Sequence, residues 1–254
     1  MCLLVVAWQI IPGTPVLIGA NRDELLERPT TLMTALRPAG PRILGGRDEQ
    51  SGGTWLAVNE HGVFAALTNQ PLGDAKDATR RSRGELPLAL ASQPSATEAA
   101  SLLLSDYRPA DYNGSWLLVG DRSTLFFIDF TGQVEPAAIA LAPGIHVLEN
   151  RPLGAPSPKV ARVLELLGVL PADADAATTA LESALADHLV PQSDVDADGP
   201  RLVPCCVHLE TYGTRSSCIV RIGDEPEPQI RVADGPPCTA PFVDASAWWR
   251  GDAL

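Results

Sequence analysis

The chain reads as an α+β protein of packed layers, and two features of its sequence say so. Its apolar segments run strands, helices, strands, helices, strands, an order that suits segregated layers better than an alternating parallel sheet. Its first apolar run begins at the second residue, where chains are usually frayed, so the amino end is expected to be pinned inside a sheet. With 254 residues, 45% of them hydrophobic, the chain can bury a sizeable core and sits near the upper size for one domain. We expect one domain over residues 1–254, with a mobile loop near 191–200 and a tail near 236–254.

Taken in order, residues 2–8 and 15–20 are adjacent apolar runs separated by Pro12-Gly13, and they read as two buried strands. Residues 21–52 are polar and rich in Gly and Arg, and read as loops. Trp55–Asn59 and Val63–Thr68 form a hairpin around Asn59-Glu60-His61-Gly62. Ser82 with Glu85, and Ser95 with Glu98, have capping-box spacing, so a helix is expected to start at each. Ser115–Gly120 and Leu125–Phe130 make a second hairpin, and strand-like segments continue through Ile139 and Val147. Val160, Val163, Leu164 and Leu167 recur at helical spacing. Leu181, Leu185 and Leu189 do so again after an Asp175 cap. Residues 202–209 and 216–222 are late strands. Trp248-Trp249-Arg250 either docks the tail or marks a partner surface.

The net charge of −12 makes nucleic acid an unexpected partner, because an acidic surface repels phosphate backbones. No apolar run approaches the roughly 20 residues that span a bilayer, and the opening residues lack the basic start and cleavage pattern of a signal peptide. Five cysteines, with no Cys-x-x-Cys, fit neither a disulfide framework nor a structural zinc pattern. A reducing, cytoplasmic setting is expected. His61, His146, His188 and His208 form no close pair in sequence, so no protein-built metal site is expected.

Cys2 follows the initiator Met. Removal of Met1 leaves a thiol and a free α-amine on one residue, and an α-amine titrates at about 7.7–8.0, close to neutral pH. One residue then carries both nucleophile and base. The bland alternative is a small residue starting a buried strand. The run Asn21-Arg22-Asp23-Glu24 sits past the second strand. Its Asp can accept from an ammonium and its Arg favours a thiolate, and otherwise it is a solvated loop. Asn69 and Asn150 end strands, where an amide either lines an oxyanion hole or makes a turn. Arg215, just before an apolar strand, either pairs with Asp23 or a substrate carboxylate, or is a surface arginine. Arg80-Arg81-Ser82-Arg83 is the strongest basic cluster. It either holds a phosphate or carboxylate at a pocket mouth or forms a solvated face.

These residues resemble a known family. Met1-Cys2, Ala20-Asn21-Arg22-Asp23-Glu24, Arg28-Pro29, Gly45-Gly46-Arg47-Asp48 and Gly52-Gly53-Thr54-Trp55-Leu56 follow the order of the NRDE family. So do Gly62-Val63-Phe64-Ala65, Leu67-Thr68-Asn69, Ser82-Arg83-Gly84, Tyr112-Asn113-Gly114, Pro158-Lys159-Val160 and Gly213-Thr214-Arg215-Ser216-Ser217. The family is in turn similar to N-terminal-nucleophile (Ntn) hydrolases of the choloylglycine hydrolase and penicillin acylase type. That resemblance implies a four-layer αββα sandwich. It implies a site of Cys2, Asp23, Asn69, Asn150 and Arg215, with Asn21, Arg22, Glu24 and Arg83 meeting substrate. Two departures stand out. Glu149-Asn150 and Ser157 replace the family's usual residues near the second asparagine, and Ala20 stands where the hydrolases carry an Arg. Arg22 is expected to project from the opposite face to position 20.

Two functions follow from the resemblance. One is hydrolysis of a non-peptide amide or thioester by acyl transfer from Cys2, with no cofactor required. The other is a non-catalytic carrier or chaperone for haem or acyl-coenzyme A and related lipids, with haem a ligand rather than a resident group. Either implies a small-molecule partner.

Overall fold

A computed structural model describes residues 3–71, 76–189 and 204–251. Two antiparallel sheets lie face to face. The first is built from β1 (Leu3–Ile11), β2 (Thr14–Leu25), β10 (Gly144–Leu148), β11 (Tyr212–Ile222), β12 (Gln229–Ala233) and β13 (Val243–Asp244). Its order is β10-β1-β2-β11-β12-β13, so the first strand is interior. The second sheet runs in sequence order from β3 (Thr30–Arg37) through β4 (Ile43–Asp48), β5 (Leu56–Asn59), β6 (Phe64–Asn69), β7 (Ser115–Gly120) and β8 (Leu125–Asp129) to β9 (Ile139–Ala140). The helices α1 (Glu85–Ala91) and α2 (Ala96–Asp106) cover the second sheet, and α3 (Pro158–Leu167) and α4 (Ala174–Ala186) cover the first.

The period-2 alternation of a strand explains why the two opening runs are apolar throughout. Leu4, Val6 and Trp8 of β1, with Val16, Ile18 and Ala20 of β2, face the opposite sheet, where they meet Leu44, Leu56, Phe64 and Trp116. The alternate residues Leu3, Val5, Ala7 and Leu17 face the helices through Val163, Leu167, Leu181 and Leu185. A third cluster joins Ala65, Leu67, Leu117 and Val119 to Leu86, Leu90, Ala99 and Leu103 of α1 and α2. Each of the Leu, Val, Ile and Phe side chains among these, fully buried, contributes about 1.5–3 kcal/mol. The result is the four-layer αββα sandwich.

Several sequence expectations change. Residues 21–52 are not loops: β2 continues to Leu25, and β3 and β4 follow. The threonines of β3 contribute little apolar signal, and glycine hid β4, because Gly45 and Gly46 contribute none. They are needed there for close approach: a Cβ on Gly46 would lie 2.2 Å from the Trp55 ring. Ser82 does not cap α1. Its carbonyl accepts from the Glu85 N–H, and Gly84 takes the cap position without a side-chain bond. Ser95 does cap α2, accepting from the Glu98 N–H at 3.2 Å. Asp173, not Asp175, caps α4, which ends at Ala186, short of Leu189. Of residues 202–209, those described (204–209) form no strand, only an isolated bridge between His208 and Gly213. Trp249 is buried and its indole N–H donates to the Pro228 carbonyl at 2.6 Å, docking the tail. The expected loop at 191–200 lies outside the described residues. No helix among the described residues is long and apolar enough to cross a membrane.

Candidate active site

The ends of β2, β4 and β6 open into a cavity of about 820 Å³. The segments 76–84 and 149–151 and the first turn of α3 close its sides. Strand alternation sends Arg22 between the sheets and Asn21 and Asp23 toward the helix layer. Arg22 and Ala20 are two residues apart and share a face, so the expectation that they oppose each other is corrected.

Asp23 is buried. It accepts from Thr214 Oγ1 at 2.6 Å and lies 3.8 Å from Lys159 Nζ, itself buried. The Thr214 hydroxyl accepts in turn from the Val207 N–H at 2.9 Å. Lys159 stands in the first turn of α3, at the positive end of the helix dipole, where a cation is disfavoured, and the carboxylate of Asp23 offsets that. Lys159 therefore takes the place next to Asp23 that Arg215 was expected to fill. Arg215 is the extra residue of a bulge in β11, where Thr214 pairs with Asp23 and Ser216 pairs with Arg22. It does not line the cavity, and its buried Nε–H donates to no acceptor among the described residues.

Arg22 lies over the Trp55 ring, its guanidinium carbon 4.6 Å from the ring centre. Its Nη2 is 3.6 Å from Asp48 Oδ2 and 4.0 Å from Glu24 Oε2. Its Nη1 is buried with no hydrogen-bond partner among the described residues. Burial pulls the Arg22 pKa below the usual guanidinium range, against the pull of Glu24 and Asp48. Arg28 donates to Asp48 through Nε at 2.9 Å and to Ser51 Oγ at 2.9 Å, and its Nε lies 3.7 Å from Glu24 Oε2. Burial pushes the Asp48 carboxyl up, but the hydrogen bond and charge of Arg28 outweigh it, and the pKa falls below its ordinary 3.8. Burial also lowers the Arg83 pKa; its Nη1 donates to the Gly114 carbonyl at 3.1 Å. Gly53 and Gly84 let the Arg83 segment close on the cavity wall, since a Cβ on Gly53 would sit 2.6 Å from Gly84 backbone atoms.

The remaining expected residues divide. Glu24, Asn69 and Asn150 line the cavity with Arg22, Asp23 and Arg83. Asn150 donates through Nδ2 to the Asn69 backbone carbonyl at 2.6 Å, which ties the two strand ends together. Asn21 is corrected from a substrate contact to a structural group. Its Nδ2 donates to the carbonyls of Leu185 at 2.9 Å and Cys205 at 2.8 Å, and its Oδ1 accepts from Ser217. Cys2 lies outside the described residues. Arg80 and Arg81 also reach the cavity lining. Burial pushes the thiols of Cys205 and Cys218 up to about 12, which keeps them neutral and poor nucleophiles.

Residue-by-residue reading gave no role to Arg28, Asp48, Trp55 or Lys159. Their signal lay in the ordered motifs that contain them, Arg28-Pro29, Gly45–Asp48, Thr54-Trp55 and Pro158-Lys159. Altogether eight cationic side chains and five acidic ones line the cavity of a protein whose net charge is −12.

The sandwich, with its candidate site at the ends of the inner strands, places the molecule among proteins of the Ntn-hydrolase fold. An orthologue of N-acylethanolamine-hydrolysing acid amidase from Caenorhabditis elegans superposes with a TM-score of 0.57 at 15% identity, over 86% of this chain and 92% of that one. A variant of conjugated bile acid hydrolase from Clostridium perfringens superposes with a TM-score of 0.54 at 12% identity, over 96% of this chain and 92% of that one. Within that fold, residues 1–231 match the family described as Transport and Golgi organisation 2, and the chain belongs to that family. It is 30% identical to the Transport and Golgi organization protein 2 homolog of Homo sapiens over 230 residues, and 29% identical to the Mus musculus homolog over 234, with 81% of each chain covered in both cases.

Proposed function

We propose that the cavity is an acyl-transfer site in which Cys2 attacks a non-peptide amide or thioester whose substrate also carries an anionic group. The observation that carries this reading is the shared lining: Asp23, Asn69, Arg22 and Arg83 all border the same cavity. Cys2 is joined to Leu3, which pairs with Asn21, two residues from Asp23. The sulfur adds to the substrate carbonyl carbon, and the α-amine takes the thiol proton and passes it to the departing amine or thiol. Water then cleaves the acyl-cysteine. Asp23 holds the amine, Asn69 faces the developing oxyanion, and Arg22, with an unused donor, takes the anionic end. A reducing, cytoplasmic setting suits the free thiol.

The test combines intact mass with single turnover. We expect a chain that begins at Cys2, an acyl adduct on the amino-terminal peptide after mixing with amide or acyl-coenzyme A panels, and neither adduct nor product from Cys2→Ala. Turnover by Cys2→Ala at the wild-type rate overturns the reading.

A second reading, a carrier for an anionic acyl ligand such as acyl-coenzyme A, or for haem, is favoured by one observation. Lys159 already neutralises Asp23, the group an ammonium would otherwise use. Saturable binding of either ligand without adduct or turnover, in a chain that retains Met1, supports the carrier.

A further inference from the structure

Beside the Cys205 carbonyl that Asn21 holds, two thiols and two imidazoles converge from separate stretches of chain. His188 follows the end of α4. Cys206 and His208 lie on the segment that leads into β11. Cys238 lies between β12 and β13. His208 Nε2 stands 3.1 Å from Cys238 Sγ and 3.4 Å from Cys206 Sγ, and the two sulfurs are 3.7 Å apart. The ligand atoms of His188, His208 and Cys238 all lie within 4.8 Å of one another, and the two rings meet edge to face at 78°. Cys206 is buried, Cys238 is half-buried, and both histidines are exposed.

We infer that Cys206, His208, Cys238 and His188 form a binding site for a zinc-class divalent cation. Zinc–sulfur bonds of about 2.3 Å and zinc–nitrogen bonds of about 2.0–2.1 Å, at tetrahedral angles, set two sulfurs about 3.8 Å apart and a sulfur and nitrogen about 3.5 Å apart. The observed 3.7 and 3.4 Å lie close to those values, and the 3.1 Å between His208 Nε2 and Cys238 Sγ is shorter, a difference that a small side-chain rotation takes up. One imidazole nitrogen within reach of two sulfurs suits a shared cation. A disulfide needs sulfurs about 2.05 Å apart and gives the imidazoles no part. His188, exposed at a helix exit, closes the fourth position by side-chain rotation. Two thiolates and two imidazoles suit zinc over magnesium or calcium, which prefer oxygen.

The site is structural in what it joins. The Cys206 N–H donates to the Asp187 carbonyl at 2.9 Å, and the neighbouring Cys205 carbonyl accepts from Asn21. A bound ion fastens the exit of α4, the approach to β11 and the turn after β12 around the backbone that holds Asn21. That local sequence spacing revealed no metal motif follows from this assembly, because only Cys206 and His208 are close in sequence.

The test uses the full chain, purified without a chelator or a histidine tag. Elemental analysis is expected to find one zinc per chain. Cobalt substitution is expected to give tetrahedral ligand-field bands with a thiolate charge-transfer band. Cys238→Ser, at a half-buried position, and His208→Ala, at an exposed one, should fold, as circular dichroism will check. Each should weaken zinc by more than the roughly 10–100-fold that loss of an outer partner costs, measured against a chromophoric chelator. A folded wild-type chain that takes up no zinc when supplied, or variants that bind it as tightly as wild type, overturns the inference. So does a Cys206–Cys238 disulfide that persists in reducing buffer. None of these readouts depends on turnover.

Discussion

Asp23 and Lys159 form a buried pair, and at the scale of single residues they set the character of the site. Their side chains are almost wholly withdrawn from water, at 0% and 5% exposed, so each charge depends on the other. Removal of one partner from a buried pair costs roughly 3–5 kcal/mol, whereas replacement of both by apolar groups is often neutral. We therefore expect Asp23→Asn to lower unfolding stability by about 3 kcal/mol, and Asp23→Asn with Lys159→Met to recover most of that. Urea melts of the four proteins in the cycle measure it; a single variant within about 0.5 kcal/mol of wild type would show that the pair is solvated. Asp48 gives a pH test. Its pKa is depressed in the folded state, so its contribution is present above the ordinary value of 3.8 and disappears as pH falls through the lower folded value. The stability gap between wild type and Asp48→Asn should be open at about pH 7 and close as acidification passes below the ordinary carboxyl value and through the lower folded one.

At the scale of elements, the helices differ in how their starts are secured, and that difference can be measured. Ser95 closes a reciprocal box with Glu98 at the start of α2, accepting from its N–H and donating to its carboxylate at 3.0 Å. Ser95→Ala should cost about 1 kcal/mol in a thermal melt. Ser82→Ala should cost far less, because Ser82 contributes only a backbone carbonyl to α1. The same pair shows what sequence spacing can and cannot reveal. Both had the spacing of a box, but Gly84 takes the cap position at α1, and that choice depends on its approach to Gly53. Elements with an apolar period were legible, among them β1, both hairpins and α3. β3 and β4 were not, because β3 is rich in threonine and β4 in glycine, which give little hydrophobic contrast, and Gly46 answers to packing against Trp55. Arg22 and Asp23, singled out through their motif, both line the cavity. Asn21 was misjudged because its partners, Leu185 and Cys205, are remote in sequence.

Across the whole molecule, charge is unevenly shared. The chain carries a net −12, yet its cavity is lined by more cations than anions. Acidic surroundings weaken the approach of an anion from a distance, while the lining arginines favour it once inside. Surface repulsion is screened by salt over about 10 Å at 0.1 M, and buried arginines are screened less. Added salt at modest concentration should thus speed association of an anionic acyl ligand and leave that of a neutral analogue unchanged. Stopped-flow association rates over a salt series decide this; a slope of the opposite sign would place the arginines at the surface in effect.

The interior position of β1 has a consequence for synthesis in the cell. β1 and β2 leave the ribosome before the rest of their sheet, but the neighbour that flanks β2 is β11, and Asn21 waits for Ser217, 196 residues later. At about 5–20 residues per second that interval lasts roughly 10–40 s. Throughout it, the edge of β2 that β11 will fill has no partner strand. Nascent-chain holdases should therefore engage this protein early, and translation stalled before β11 should yield an aggregating fragment rather than a folded half.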